Sequence, residues 1–298
     1  KSAVFPFHFW QPDFHTAAPT AVSAMLSSVV VKLGVYGFLR MTMLLFVYQA
    51  PQIRDILLVL GVTGVIFGGL SAIGTHNVKR MLAYSTLAQV GFILVGIGWG
   101  TPLSITAAII FAFNHSVIKA ARLMLAGYIA SHAPIKSAAF DIVTGAGKPL
   151  PAAGFLFFLG SLALAGIPPT NGFVRKMTLF TSGIDAERFW SLLFIGVTSI
   201  FTLIYTIRAF QRIWWRQPEG IGNVEIGNED ASASLSTGLG IGDEARAKAK
   251  GDRLLAPTLL VLLILLLGIW ADPLVSAAQQ TTAWLGDPAV YIQAVLGG

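Results

Sequence analysis

The sequence predicts an all-α polytopic membrane protein. Of its 298 residues, 55% are hydrophobic and only 11% are charged, whereas soluble domains carry about 25% charged residues. The mean hydropathy is +0.72. Apolar stretches recur along the chain, and several reach the roughly 20 residues that a helix needs to cross the hydrocarbon core of a bilayer. A large soluble core is therefore excluded.

Seven membrane-spanning helices are predicted from these stretches. They cover residues 18–47, 53–74, 80–99, 103–131, 150–183, 189–213 and 254–271. Residues 1–10 are interpreted as the end of an earlier helix, with Pro6 and Pro12 marking a kink and a turn before Pro19 begins the next helix. Because the chain opens on Lys1 in an apolar stretch, without a methionine or a signal peptide pattern, we expect it to be the C-terminal part of a longer protein.

The stretch at 150–183 is too long for one straight crossing, since at 1.5 Å per residue it would reach about 51 Å against a hydrocarbon core of about 30 Å. It contains the segment Gly166–Gly172, in which Pro168 and Pro169 remove backbone donors and break a helix. One crossing made of two half-helices with an unwound centre is the economical interpretation. Two short helices that meet at a surface turn remain the alternative.

Charges in the connections predict the orientation of the helices. Basic residues collect near 75–80, 132–149 and 211–253, which fall on one side by parity, and the positive-inside rule makes that side cytoplasmic. Residues 217–253 are the long polar segment and are expected to form a flexible cytoplasmic loop. The tail at 272–298 is then extracytoplasmic, with its aromatic residues at the membrane surface.

Several function classes are excluded by composition. The chain has no cysteine, so disulfides, thiolate metal sites and iron–sulfur ligation are excluded. Its five scattered histidines have no carboxylate partners in sequence and predict no metal site, and no cofactor is expected. The net charge of +6 does not indicate a nucleic-acid partner, because the basic residues divide between apolar stretches and loop ends.

Three lysines, Lys32, Lys119 and Lys176, lie inside long apolar stretches, and Lys1 precedes another. A charged side chain at the bilayer centre costs roughly 2.5–3.5 kcal/mol on insertion scales, so such residues are rare and usually functional. Lysines near a helix end reach the interface instead, which is the preferred interpretation of Lys79. Lys32 and Lys119 lie far from the ends of their helices, so their side chains reach the interface less easily.

A histidine accompanies these lysines. His115 and Lys119 are spaced i, i+4 and therefore share one helix face, with Arg122 one turn further on. No Asp or Glu occurs between Asp55 and Asp141, so these groups have no acidic partner in their helices. Burial disfavours the ammonium form of a lysine, and histidine titrates near physiological pH. A row of such groups is suited to relaying protons.

Six motifs resemble, in order, the antiporter-like subunit family shared by Mrp-type cation/proton antiporters, respiratory complex I and membrane-bound hydrogenases. They are Lys1–Asp13, His15–Thr20, Lys32–Arg40, Asn77–Thr86, Asn114–His115 with Lys119, and Ala165–Lys176. The resemblance implies a fourteen-helix subunit of two inverted five-helix repeats, each with one broken helix. This chain would be the C-terminal part of that antiporter-like helix bundle.

The resemblance also implies domains. Residues 1–216 would form the transmembrane antiporter-like domain, from the end of helix 7 to helix 13 of the family fold. Residues 217–253 would be the cytoplasmic loop, and residues 254–298 the last transmembrane helix with its extracytoplasmic tail.

The resemblance assigns roles to individual residues. Lys1, Lys32, His115, Lys119 and Lys176 match the basic groups that form the proton relay of the family. The family glutamate that pairs with the lysine matching Lys1 would lie upstream of this sequence. The chain as given is therefore not expected to conduct protons alone.

The function implied is that of a proton-translocating subunit of a multisubunit Na⁺(K⁺)/H⁺ antiporter, a secondary transporter rather than an enzyme. Its expected partners are the other subunits of a hetero-oligomeric complex, the lipid bilayer, protons, and Na⁺ or K⁺. It is expected to be a multi-pass protein of the bacterial inner membrane. Lys176 in place of a glutamate and the ending Asp287–Gly298 resemble the Mrp branch.

Two alternatives remain open. One is a proton-pumping membrane subunit of complex I or of an energy-converting hydrogenase, which would use the same buried groups. The other is a structural membrane subunit whose lysines contact neighbouring subunits or lipid headgroups.

Overall fold

The computed structural model describes residues 1–133, 135–216 and 253–287, together with 289 and 293. This part of the chain contains helices and no β-strand, which confirms the predicted fold class. The helices are α1 (Trp10–Ala17), α2 (Thr20–Leu45), α3 (Ala50–Gly74), α4 (Val78–Trp99), α5 (Pro102–His132), α6 (Phe140–Val143), α7 (Pro151–Ala165), α8 (Asn171–Asp185), α9 (Phe189–Trp215), α10 (Leu255–Ile269) and α11 (Asp272–Gly286).

Five of these helices, α2, α3, α4, α5 and α9, are long and apolar enough to cross a membrane, and they match five of the seven predicted spans. The sixth predicted span is divided into α7 and α8. The seventh corresponds to α10, which meets α11 at a bend of 78°. Of the predicted loop at 217–253, all but Arg253 lies outside the described residues.

The interpretation of residues 1–10 as the end of a helix is wrong, because helical structure begins only at Trp10. Ala3 has a φ of 50°, which a right-handed helix does not allow. Pro6 cannot donate a backbone hydrogen bond and disfavours helical geometry in the residue before it. Pro12 does not mark a turn but lies in the first turn of α1, where a missing backbone donor is tolerated.

Local signals fix the ends of the two central helices. Asn77 begins α4, and its side-chain oxygen accepts from the backbone nitrogen of Lys79 at 2.9 Å. Thr101 begins α5 and accepts from the backbone nitrogen of Ser104 at 3.1 Å. Between them, Gly100 ends α4 with a φ of 72°, a left-handed conformation that glycine adopts without a steric penalty.

The helix α5 is the centre of the bundle and packs against α2, α4, α7, α8, α10 and α11. The helix α4 packs against α5 on one side and against α3 on the other. Most side chains of α4 are therefore buried. Close approach of α3 to α4 depends on Gly61 and Gly91, because a Cβ at either would come within 3 Å of the other's backbone oxygen. Polar residues on α4 and α5 are therefore held deep in the protein.

The last described helix also rests on α5. The hydroxyls of Thr106 on α5 and Thr282 on α11 lie 2.8 Å apart, and Ala278 on the same face is buried. Trp284 is exposed. The beginning of the predicted extracytoplasmic tail is thus a packed helix.

Candidate functional site

The partly buried Lys32 lies on α2 just after a π-helical turn, Leu26–Val30. In such a turn the backbone bonds run from i to i+5, and the regular α-helical pairing is interrupted. The Nζ of Lys32 donates to the carbonyl oxygen of Ser27, five residues earlier, at 2.6 Å. The amine is therefore held against the middle of its own helix.

A hydrogen-bonded bridge joins α2 to α4 beside Lys32. The buried hydroxyls of Ser27 and Thr86 lie 2.9 Å apart, and Thr86 also donates to the carbonyl oxygen of Leu82 at 3.1 Å. The same carbonyl oxygen accepts from the Nζ of Lys119 on α5 at 2.6 Å. Lys119 thus contacts a polar strip of α4, formed by the Leu82 carbonyl, Ser85 and Thr86, which Lys32 reaches through Ser27.

Lys119 has an exposed fraction of 0%, so its amine depends on protein acceptors. It donates to the hydroxyl of Ser85 as well as to Leu82. Ser85 in turn donates to the Leu82 carbonyl oxygen at 2.8 Å. The cations within coulombic range of Lys119 are Arg122, Lys32 and Arg175.

His115 lies one turn before Lys119 on α5 and is equally buried. Neither of its ring nitrogens has a hydrogen-bond partner among the residues that the structure describes. Lys32, Lys119 and Arg175 all lie within coulombic range of the ring. The predicted His–Lys pair therefore sits in the interior, between the lysine of α2 and the broken helix.

The break between α7 and α8 leaves the last carbonyl oxygens of α7 without intrahelical partners. Arg175 Nη2 donates to the carbonyl oxygen of Leu164 at 3.0 Å, and Lys176 Nζ donates to that of Ala165 at 2.7 Å. Gly166 ends α7 with a φ of 87°. Two basic residues of the second half-helix thus cap the negative end of the first.

The start of α8 is buried against α5 and α10. Asn171 Nδ2 donates to Asn114 Oδ1 at 3.1 Å, and Asn114 Nδ2 donates to the backbone oxygen of Asn171 at 3.3 Å. Gly268 of α10 covers the break, because a Cβ there would stand 2.1 Å from the carbonyl oxygen of Pro169. Although Pro169 has an exposed side chain, these contacts support a discontinuous helix rather than two helices joined by a surface turn.

Gly172 is where the two half-helices touch. A Cβ at this position would lie 1.7 Å from the carbonyl oxygen of Ala163, and a backbone atom cannot move aside as a side chain can. We expect Gly172→Ala to force α7 and α8 apart and to lower the melting temperature of the whole protein, as overpacking that costs about 1–3 kcal/mol or more would do. Thermal unfolding of the purified complex measures this.

A matched control for this substitution is Gly37→Ala on α2, where a Cβ meets nothing within 4 Å. It should leave the melting temperature unchanged. An equal melting temperature for the Gly172 variant and the wild type would contradict the close contact of the half-helices.

The electrostatic character of this interior is one-sided. Every acidic side chain in the described part of the chain is exposed, and the ion pair found there, between Arg80 and Asp13, lies near the surface with Nη2 and Oδ1 3.5 Å apart. A buried charge without a counter-charge is costly. The arrangement therefore disfavours a positive charge on neighbouring basic groups at the same time.

The structure brings together four of the five predicted site residues. Lys32, His115 and Lys119 are within coulombic range of one another, and Lys176 joins them through Arg175. Lys1 stays outside this group because its side chain is exposed.

The start of the chain nevertheless lies against α2. Ser2 is buried and donates from its hydroxyl to the carbonyl oxygen of Val31 at 3.1 Å. Lys1, the residue before Ser2, keeps its relay role as a prediction.

Three buried residues were not assigned to the site from sequence. Arg122 and Arg175 are each fully buried with unpaired guanidinium nitrogens among the described residues, and Tyr205 of α9 is also buried. Both arginines lie within coulombic range of Tyr205. The signal for the arginines was available, since each is a basic residue beside a predicted lysine. Nothing in the sequence of α9 distinguished Tyr205.

The first half-helix is shaped to hold Arg122. Its guanidinium carbon lies 4.0 Å from the centre of the Phe157 ring, and Nη1 donates to the hydroxyl of Ser161. Gly160 leaves room for the side chain, because a Cβ there would stand 2.9 Å from Arg122 Cδ. Three residues on one face of α7 thus bind a cation from the helix that carries Lys119.

Comparison with known proteins agrees with this geometry. Residues 1–202 match the family described as NADH:quinone oxidoreductase/Mrp antiporter, TM. A D-type Na(+)/H(+) antiporter subunit of Bacillus subtilis is 30% identical over 299 aligned residues, which cover 99% of this chain and 55% of that protein. The NAD(P)H-quinone oxidoreductase chain 4 1 of a Synechococcus species is 37% identical over 72% of this chain and 42% of its own length.

A solved structure gives the same picture. One chain of the Mrp complex from Dietzia superposes on all of this chain with a TM-score of 0.85 at 26% identity, and 59% of that chain is covered. The chain therefore spans little more than half the length of these antiporter relatives. The resemblance seen in the sequence, including its preference for the Mrp branch, is confirmed by these matches. The chain belongs to the NADH:quinone oxidoreductase/Mrp antiporter family of multi-pass membrane subunits.

Proposed function

We propose that this chain carries the proton path of an Na⁺(K⁺)/H⁺ antiporter subunit that works in a hetero-oligomeric complex of the bacterial cell membrane. The observation that supports this most is the line of basic groups through the interior. It runs from Lys32 on α2, by the polar strip of α4, to His115 and Lys119 on α5 and on to Lys176 at the broken helix.

Proton transfer fits the chemistry of these groups. A neutral lysine accepts a proton and an ammonium donates one, while histidine does both through its two ring nitrogens. Because like charges repel strongly in a low-dielectric interior, a proton that arrives at one group favours release from the next. The subunit would act as part of a secondary transporter, without covalent chemistry or a cofactor of its own.

The hydroxyls beside the lysines have a role in this proposal. Ser27, whose carbonyl oxygen accepts from Lys32, pairs its hydroxyl with that of Thr86, and the Ser85 hydroxyl accepts from Lys119. A hydroxyl donates one hydrogen bond and accepts others, so it can orient water or pass a proton. They would keep the path polar between the two lysines.

The second candidate function is a proton-pumping membrane subunit of complex I or of a related redox complex. It is favoured by the identity of 37% to a quinone oxidoreductase chain. The two functions differ in what drives the protons. An antiporter subunit exchanges them for Na⁺ or K⁺ down a pH gradient, whereas a pump of the second kind moves them only during electron transfer.

We expect Lys32→Ala, in the full-length protein within its complex, to lower cation-linked proton exchange by about 10²-fold, as loss of a proton-transfer group does. Everted membrane vesicles with an imposed pH gradient report the exchange when Na⁺ or K⁺ is added. The exposed Lys136 on the α5–α6 connection gives the control, Lys136→Ala, which should exchange like the wild type.

Two results would overturn the proposed function. Wild-type exchange by the Lys32 variant would remove the relay. Absence of any cation-linked exchange in the wild type, combined with proton movement only during electron transfer, would favour the redox pump instead.

A further inference from the structure

His15 on α1 is a buried group that the proposed relay does not use. Its exposed fraction is 0%. Both ring nitrogens lack a hydrogen-bond partner among the residues that the structure describes. Buried polar atoms in folded proteins are nearly always paired, so a histidine with a packing role alone would have at least one ring nitrogen hydrogen-bonded to the protein. Two unpaired nitrogens leave the ring available to exchange protons with water.

The surroundings of His15 connect the membrane surface to the interior. The ammonium groups of Lys119 on α5 and Lys79 on α4 both lie within coulombic range of the ring. Lys79 sits in the first turn of α4, and its Nζ donates at 3.2 Å to the carbonyl oxygen of Ala18, just past the end of α1. Lys119 sits in the middle of α5. The ring thus has a basic residue at a helix start and the buried centre of the relay within coulombic range.

Among the residues that the structure describes, Lys119 and Lys79 are the charged groups that act on this ring. From α2, Ser23 donates a hydrogen bond to the backbone oxygen of His15 at 3.2 Å. Asp13 on α1 is exposed and pairs with Arg80. The charged groups within range of His15 are therefore cationic, which keeps the ring neutral except while it passes a proton on.

We propose that His15 is a proton-transfer residue that links the membrane face where α4 begins to Lys119. One ring nitrogen accepts a proton arriving from that face, and an N–H bond forms there. The proton on the other nitrogen passes through bridging water to the neutral amine of Lys119, which becomes an ammonium. The ring is again neutral, and a half-turn about its Cβ–Cγ bond brings the remaining N–H back to the side of Lys119. Protons leaving the relay at this face would take the same steps in reverse.

This inference rests on the proposed function, so its test uses the full-length protein in its complex. We expect His15→Gln to lower cation-linked proton exchange at least about tenfold, as loss of a proton-transfer group does. The loss should deepen as pH rises, because proton delivery then limits the rate. A purely structural role would lower exchange by the same factor at every pH.

The control is His76→Gln, which changes an exposed histidine just ahead of α4. It should exchange like the wild type at each pH. Wild-type exchange by the His15 variant, or a loss that does not vary with pH, would overturn the proposal. If Lys119→Met abolishes exchange while His15→Gln does not, the inference fails and the proposed function stands. If neither affects exchange, the proposed function itself fails.

A second measurement tests the proposal even if His15→Gln reduces assembly of the complex. Residues 1–298 contain no cysteine, so His15→Cys adds the single thiol of this part of the chain, and the same protein without the substitution gives the background of labelling. A small, charged methanethiosulfonate reagent should modify this thiol faster from the side on which α4 begins than from the opposite side. His76→Cys marks the first side. No modification from either side, or faster modification from the wrong side, would overturn the proposal.

Discussion

Replacing Lys176 by arginine is expected to abolish cation-linked proton exchange while leaving the broken helix intact. Arginine keeps the positive charge at the end of α7 and can still donate to the carbonyl oxygen of Ala165, which accepts from Lys176 at 2.7 Å. A guanidinium does not release its proton in proteins. The substitution therefore separates the two roles of this residue, capping a half-helix and carrying a proton.

The companion variant Lys176→Ala should lose both roles. Its exchange should fall by about 10²-fold or more, and its melting temperature should also fall because the α7 carbonyl loses a charge-assisted donor. Lys148→Arg, at an exposed position before α7, is the matched control and should behave like the wild type in both assays. Exchange at the wild-type rate in Lys176→Arg would show that only charge and capping matter at this position.

Lys119→Met is expected to have an equally large effect on exchange, with little effect on folding. Methionine is unbranched and fills the space of the lysine stem, so the buried face of α5 keeps its packing. The Leu82 carbonyl oxygen retains the hydrogen bonds donated by Ser85 at 2.8 Å and Thr86 at 3.1 Å. The backbone acceptor that loses Lys119 is therefore not left unpaired.

The measurement for Lys119→Met is exchange in everted vesicles, normalised to the amount of assembled complex. We expect a loss of about 10²-fold or more. The control replaces Met124 on the same helix by leucine, a change of similar size at a partly buried position that the relay does not use. Exchange by the Lys119 variant within a few-fold of the wild type would remove the buried centre of the path.

The long helices could be predicted from the sequence because membrane crossing imposes length and apolarity together. The stretch predicted at 189–213 is the helix Phe189–Trp215, and that predicted at 80–99 is Val78–Trp99. The break at Pro168 was equally visible, since proline interrupts a helix wherever it lies in the interior. The lysines and His115 were found because charge in such stretches is expensive.

What could not be predicted depends on contacts between distant segments. The π turn at Leu26–Val30 contains no proline or glycine that would predict it. It nevertheless leaves the Ser27 carbonyl oxygen to accept a hydrogen bond from Lys32. The capping of α7 by Arg175 requires that α8 pass beside the helix it follows. His15 is not among the predicted relay residues, and only the packing of α1 against α4 shows that it is buried.

The central claim is that the buried basic groups act in series on one path. Proteoliposomes containing the intact complex, with an imposed Na⁺ or K⁺ gradient and a pH-sensitive dye inside, measure the proton movement directly. The account predicts that Lys32→Ala, Lys119→Met and Lys176→Arg each fall to the same background rate, because a path in series stops wherever it is cut. A wild-type rate in any one of the three, at equal complex content, would contradict it.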